Sequence, residues 1–118
     1  MSTAISWNLQ LSVKDGQLDN VRALMQEMIA GTSDEPGALT YEWFMDPDGT
    51  TLHICEGYKD SDATMAHLGN FGSKYAERFM AYLQPTAFYV YGEPSDAVRG
   101  VLDGFGAQYL GNAGGFRR

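Results

Sequence analysis

Residues 5–13 alternate between apolar and polar side chains. Ile5, Trp7, Leu9, Leu11 and Val13 fall on one face, and Ser6, Asn8, Gln10 and Ser12 on the other. A period of two over this length predicts a half-buried strand, and Asp15-Gly16 supplies the turn after it. From Leu18 the period lengthens. Leu18, Val21, Leu24, Met25, Met28 and Ile29 form one apolar stripe, with Arg22, Gln26 and Glu27 outside it, which predicts an amphipathic helix. Asp19 suits the positive end of its dipole. Gly31 is the expected stop, with Asp34-Glu35-Pro36-Gly37 as the loop.

Alternation resumes at Leu39, Tyr41, Trp43 and Met45, against Thr40, Glu42 and Phe44. Asp46-Pro47-Asp48-Gly49 is strong turn chemistry, and residues 51–58 follow at once, so the pair predicts a β-hairpin. Asp60-Ser61-Asp62 offers N-cap groups for a short helix through Leu68, expected to be interrupted at Gly69 and Gly72. A second helical stretch carries Phe71, Tyr75, Phe79 and Leu83 and ends at Pro85. Residues 86–92 are rich in β-branched and aromatic types and form the last expected strand. The order β-α-β-β-α-β predicts an α+β fold of ferredoxin-like topology over residues 1–93. Residues 94–118 form a C-terminal extension, with a short helix near residues 95–102 and a Gly-rich end.

Two helices cover one face of such a sheet. Trp43 beside Phe44, and Tyr89 beside Val90, put large apolar groups on both faces. A sheet greasy on both sides and half covered predicts a homodimer, the alternative being that the extension covers the second face within one chain.

Composition narrows the classes further. The chain has 118 residues, enough for one domain, with 44% hydrophobic and 19% charged residues, as in a packed globule. Eight Lys and Arg against fifteen Asp and Glu give a net charge of −7, and apart from Arg117-Arg118 the basic residues are scattered. Nucleic acids and anionic membranes need clustered positive charge, so neither is an expected partner. One cysteine, Cys55, excludes an intrachain disulfide, and neither a signal-peptide pattern nor a long apolar run is present. These features predict a soluble, cytoplasmic protein. His53 and Cys55 share a strand face but lack third and fourth ligands at recognisable spacing, so no metal site is expected.

Two short motifs carry a resemblance. Asp34-Glu35-Pro36-Gly37-Ala38-Leu39-Thr40-Tyr41-Glu42 resembles the entry to the second strand of antibiotic biosynthesis monooxygenases. Cys55-Glu56-Gly57-Tyr58-Lys59-Asp60, followed by Ala63 and His67, resembles that family's third strand end and the histidine of its next helix. The resemblance covers about residues 5–92, and residues 92–116 look like the extension of a longer subgroup. It implies a dimeric α+β barrel and cofactor-independent oxygenation of a quinol- or anthrone-like aromatic substrate. The extension is then expected to clasp the partner subunit or lid a pocket. Haem-degrading relatives place a Trp near His67 and an axial His about ten residues later. Here that later position is Glu77, which argues against haem.

Under this reading His67 is the candidate base, because a cofactor-free oxygenase must deprotonate its substrate before dioxygen can be reduced. A helix histidine that merely bonds a loop is the structural alternative. Asn8 is the candidate donor to a substrate oxygen, or else part of a polar subunit surface. Glu56 shares a face with Leu52, Ile54 and Tyr58, so its carboxylate needs a partner there. Trp7, Trp43, Phe71, Tyr75 and Phe79 are the candidate aromatic wall of a substrate pocket, or ordinary core. A non-catalytic small-molecule binding protein on the same scaffold is the second functional expectation.

Overall fold

The alternating segment at the start of the chain becomes the middle strand of a sheet. A computed structural model describes residues 2–118. In chain order the elements are β1 (Ile5–Val13), α1 (Leu18–Ser33), β2 (Ala38–Met45), β3 (Thr51–Tyr58), α2 (Ser61–Lys74), α3 (Ala76–Tyr82) and β4 (Leu83–Tyr91). The extension adds α4 (Asp96–Leu102), a 3-10 turn at Asp103–Phe105, and β5 (Gln108–Leu110). The sheet runs β2-β3-β1-β4-β5. β1 pairs antiparallel with β3 and β4, and β2 pairs antiparallel with β3. β5 adds in parallel to β4. The first four strands and their helical crossovers are the ferredoxin-like arrangement.

All four helices pack on one face of this sheet. Val21, Leu24 and Met28 of α1, with Tyr75 and Phe79, cover Leu11, Leu52, Ile54 and Leu83. Val98 and Leu102 of α4, with Met65 and Leu68 of α2, cover Ile5, Trp7, Tyr58, Phe88 and Val90. The extension therefore docks on the helical layer, and the alternative in which it shields the second sheet face is not what the chain does. On that second face Phe44 and Tyr91 remain 52% and 42% exposed. No described helix is long and apolar enough to cross a membrane.

Four boundaries differ from the sequence expectation, each for a local reason. α2 runs through Gly69 and Gly72 to Lys74 and breaks only at Tyr75. Each glycine costs a helix about 1 kcal/mol, which the packing of Leu68 and Phe71 outweighs. β4 begins at Leu83, before Pro85. Pro85 lies where the β1–β4 register shifts, at a bulge, so the missing N–H breaks no regular ladder. In β2 a register shift between Ala38 and Thr40 turns Leu39 out to 55% exposure and lets Ala38 pack inward. The hairpin turn is as expected, with Gly49 at φ 70° and the Asp46 carboxylate accepting from the N–H groups of Thr50 and Thr51.

α1 also passes through Gly31 and ends at Ser33. A Cβ at position 31 would overlap the Tyr75 hydroxyl, so the glycine is there for close approach and not as a stop. An alanine in mid-helix normally gains about 1 kcal/mol over glycine. Here Gly31→Ala is expected to lose about 1–3 kcal/mol through overpacking. Adding Tyr75→Phe should restore most of it, as read by urea denaturation. A stabilised Gly31→Ala single variant would contradict this packing.

Candidate active site

The buried polar residues of the described chain are few, and two of them, Glu56 and His67, meet in one cluster. Asp60 caps α2 by accepting from the Ala63 N–H, which sets the rotation of that helix over the sheet. Two turns on, His67 points inward and is 5% exposed. Its Nδ1 lies 3.0 Å from Oε1 of Glu35, in the loop after α1. Its Nε2 lies 3.1 Å from Oε1 of Glu56 on β3. The same Glu56 oxygen accepts a 2.6 Å hydrogen bond from the Tyr58 hydroxyl, and the other Glu35 oxygen accepts from Asn70 at 3.3 Å. The sequence-based requirement for a partner to Glu56 is thus met twice over.

Burial alone would push the His67 pKa down, but the Glu56 and Glu35 carboxylates override it, and the net direction is up from the ordinary 6.5. His67 is accordingly held towards the charged form, with both ring nitrogens engaged. That geometry differs from a free base awaiting a proton. Burial and the neighbouring Glu56 push the Tyr58 phenol far up, so it remains a neutral donor. The two carboxylates face opposite edges of one ring. They do not converge on a common point, and among the described residues no group of three His, Cys, Asp or Glu side chains is arranged to hold a metal ion.

Beside this cluster lies a cavity of about 50 Å³. Trp7, Leu9 and Ile54 form its sheet wall, Phe71 and Phe79 its helical wall, and Glu56 and His67 its polar corner. The wall is aromatic edge to face, with Phe71 and Phe79 rings 5.2 Å apart and Trp7 on Phe88 at 5.8 Å. Met80, Leu102 and Phe105 complete it, and Met80 and Phe105 are 40% and 38% exposed at its rim. Two of these three belong to the extension, which is therefore part of the pocket.

Of the residues singled out in the sequence, His67, Glu56, Trp7, Phe71 and Phe79 come together here. Three do not. Asn8 lies on the opposite sheet face, where its amide donates to Cys55 Sγ at 3.4 Å. Strand alternation makes this unavoidable once Trp7 and Leu9 face the cavity. Trp43 packs on Tyr41 and Phe79, outside the cavity lining. Tyr75 sits in the core against α1. The sequence motifs include Glu35, Tyr41 and Tyr58, but none of the three was expected at the site. The inward faces of β2 and β3 carried the signal for both tyrosines. The motif around Glu35 does not reveal its partner, which lies 32 residues away.

A ferredoxin-like domain with a buried acid–histidine–acid cluster beside an aromatic-walled cavity defines the class. The model of the antibiotic biosynthesis monooxygenase family matches residues 5–82, and the chain belongs to that family. No curated protein sequence matches it. Among solved structures it is similar to MupZ from Pseudomonas fluorescens, at 27% identity and TM-score 0.88, over 100% of this chain and 91% of that one. It is also similar in fold to SnoaB, a cofactor-independent oxygenase from Streptomyces nogalater, at 14% identity and TM-score 0.67, over 80% of this chain and 96% of that one. A putative antibiotic biosynthesis monooxygenase from Nitrosomonas europaea matches at 17% identity and TM-score 0.68, over 79% of this chain and 92% of that one. The match to MupZ thus takes in the extension, which the family model leaves out.

The raised histidine pKa has a signed consequence. The stability it contributes is fully present below the ordinary 6.5 and is lost as pH rises through the higher native value. An NMR titration of His67 is expected to give a midpoint above 6.5, lowered in Glu35→Gln and in Glu56→Gln. Urea denaturation should show wild-type stability falling through that midpoint more steeply than His67→Gln. A wild-type midpoint below 6.5 would contradict the paired geometry.

Proposed function

We propose that this chain is an enzyme that moves protons on a small, largely apolar molecule in the cavity beside His67. Its reaction, on this reading, is cofactor-independent oxygenation of a quinol- or anthrone-like aromatic. The observation that carries the proposal is the imidazole held between two buried carboxylates at the polar corner of an aromatic-walled cavity. Family membership supports the oxygenase chemistry, and SnoaB, described as a cofactor-independent oxygenase, shares the fold.

The chemistry divides among the side chains as follows. Tyr58 and His67 both contact Oε1 of Glu56, and neither contact uses Oε2. That second oxygen is the proton acceptor in this scheme, taking a proton from an acidic C–H or O–H of the bound molecule. The charged His67 offsets the negative charge that develops, and Glu35 holds the imidazole in place. The substrate anion then gives one electron to dioxygen, and the resulting radical pair joins as a peroxide. Glu56 returns its proton to the peroxide anion, and for an anthrone-like methylene loss of water from that hydroperoxide leaves the new carbonyl. One dioxygen is consumed, and the substrate supplies all the electrons, so the scheme needs no further reductant.

The size of the cavity favours a second reading. About 50 Å³ is well below the roughly 150 Å³ that accommodates benzene in an engineered apolar cavity. A fused aromatic enters only if the rim at Met80 and Phe105 opens. A non-catalytic binding protein for a smaller molecule fits the cavity without that movement.

Oxygen-electrode assays over a panel of hydroquinones and anthrones distinguish these readings. The oxygenase proposal expects dioxygen uptake that falls at least about tenfold in Glu56→Gln and in His67→Gln, with each variant still folded by circular dichroism. Turnover that is unchanged under nitrogen identifies proton transfer without oxygenation. Binding with no turnover identifies the second reading.

We also propose that the chain works as a homodimer through its uncovered sheet face, where Phe44 and Tyr91 stand exposed. Sedimentation equilibrium at micromolar concentration is expected to give twice the chain mass, and Phe44→Lys should return the monomer. A monomeric wild type would falsify the dimer.

A further inference from the structure

Tyr41 stands on β2 with its ring 5.9 Å from His67, and it lines the same cavity as Glu56. Its hydroxyl oxygen is buried and has no hydrogen-bond partner among the described residues. Leaving a buried hydroxyl unpaired costs about 1–3 kcal/mol, so such a group calls for an explanation. The indole N–H of Trp43 and the Thr32 hydroxyl face the phenol oxygen and offset part of its pKa shift, but neither closes a hydrogen bond with it. An indole N–H can only donate, so Trp43 cannot take up the phenol proton.

The electrostatics fix the role of that proton. Burial first, and then the Glu56 charge, push the Tyr41 pKa far above the ordinary phenol value, with Glu35 adding a smaller push. Tyr41 therefore stays a neutral donor through the whole working pH range. The donors of the acid–histidine cluster are already committed, both His67 nitrogens to carboxylates and the Tyr58 hydroxyl to Glu56. A ligand oxygen arriving beside Glu56 needs a donor to replace the water it leaves behind.

We infer that Tyr41 donates the hydrogen bond that receives the ligand's oxygen, and that the ligand class is a small, mainly apolar molecule carrying a carbonyl or phenolic oxygen. It takes the place that the sequence suggested for Asn8. The inference rests on the proposed site at His67 and extends it, but it concerns binding and does not require turnover.

Two probes of nearly one shape isolate the effect: cyclohexanone, which accepts a hydrogen bond and donates none, and methylenecyclohexane, which does neither. Wild type and Tyr41→Phe are titrated with each by NMR, and their melting temperatures are measured without ligand. The expected result is a loss of at least about tenfold in cyclohexanone affinity, with methylenecyclohexane affinity unchanged and the ligand-free variant as stable as wild type or more so. A clear drop in melting temperature would show the hydroxyl to be structurally bonded and would overturn the inference. So would equal cyclohexanone affinity in the two proteins, or no cyclohexanone binding to wild type. Loss of ketone preference in a protein that turns over no substrate leaves Tyr41 in place and removes only the enzymatic reading.

Discussion

The structure depends on keeping an imidazole between two carboxylates inside an apolar layer. His67, Glu56 and Glu35 are drawn from a helix, a strand and a loop, and all three are largely out of water. A charge moved from water into a protein interior costs several kcal/mol unless it is paired and hydrogen-bonded. Removing one member of such a group strands the others, which ties the three elements together. The β3 register, the Asp60 cap of α2 and the loop after α1 must all be right for the contacts of about 3 Å to form.

The sheet is organised to meet that demand. β3 is flanked on both sides by strands, so Glu56 projects from a backbone whose own groups are committed to ladders. Tyr58, two residues on and on the same face, satisfies the Glu56 oxygen from below while its ring stacks 4.7 Å from His67. The apolar remainder of the face then closes round the cluster, with α4 and Phe105 of the extension finishing the wall. Solved structures that match about 80% of the chain share its fold.

Much of this was legible from periodicity. Residues 5–13, 18–29 and 51–58 read as the elements they form, because each buries a single face and side-chain period reports directly on that face. The misread positions are those where tertiary contact overrides local preference. Gly31, Gly69 and Gly72 look like helix breaks, yet one makes room for Tyr75 and the other two are carried by packing on either side. Leu39 looks inward-facing until a bulge turns it out. At the site, Glu56 stood out as a polar group on an apolar strand face, and His67 through the family-like motif. Glu35 did not, since a glutamate beside Pro36 and Gly37 is normal loop composition and its pairing spans two elements. Trp7 and Asn8 cannot face one pocket by strand alternation, so of the two expectations for Asn8 its place on the uncovered sheet face leaves the polar-surface one.

The central claim is that small molecules bind beside His67 and not on the open face of the sheet. Isotope-filtered nuclear Overhauser measurements with unlabelled 1-naphthol on labelled protein test it most directly. The account predicts contacts from the naphthol ring to Trp7, His67 and Phe79, with none to Phe44 or Tyr91. Contacts confined to Phe44 and Tyr91 would contradict it and move the site to the opposite side of the sheet.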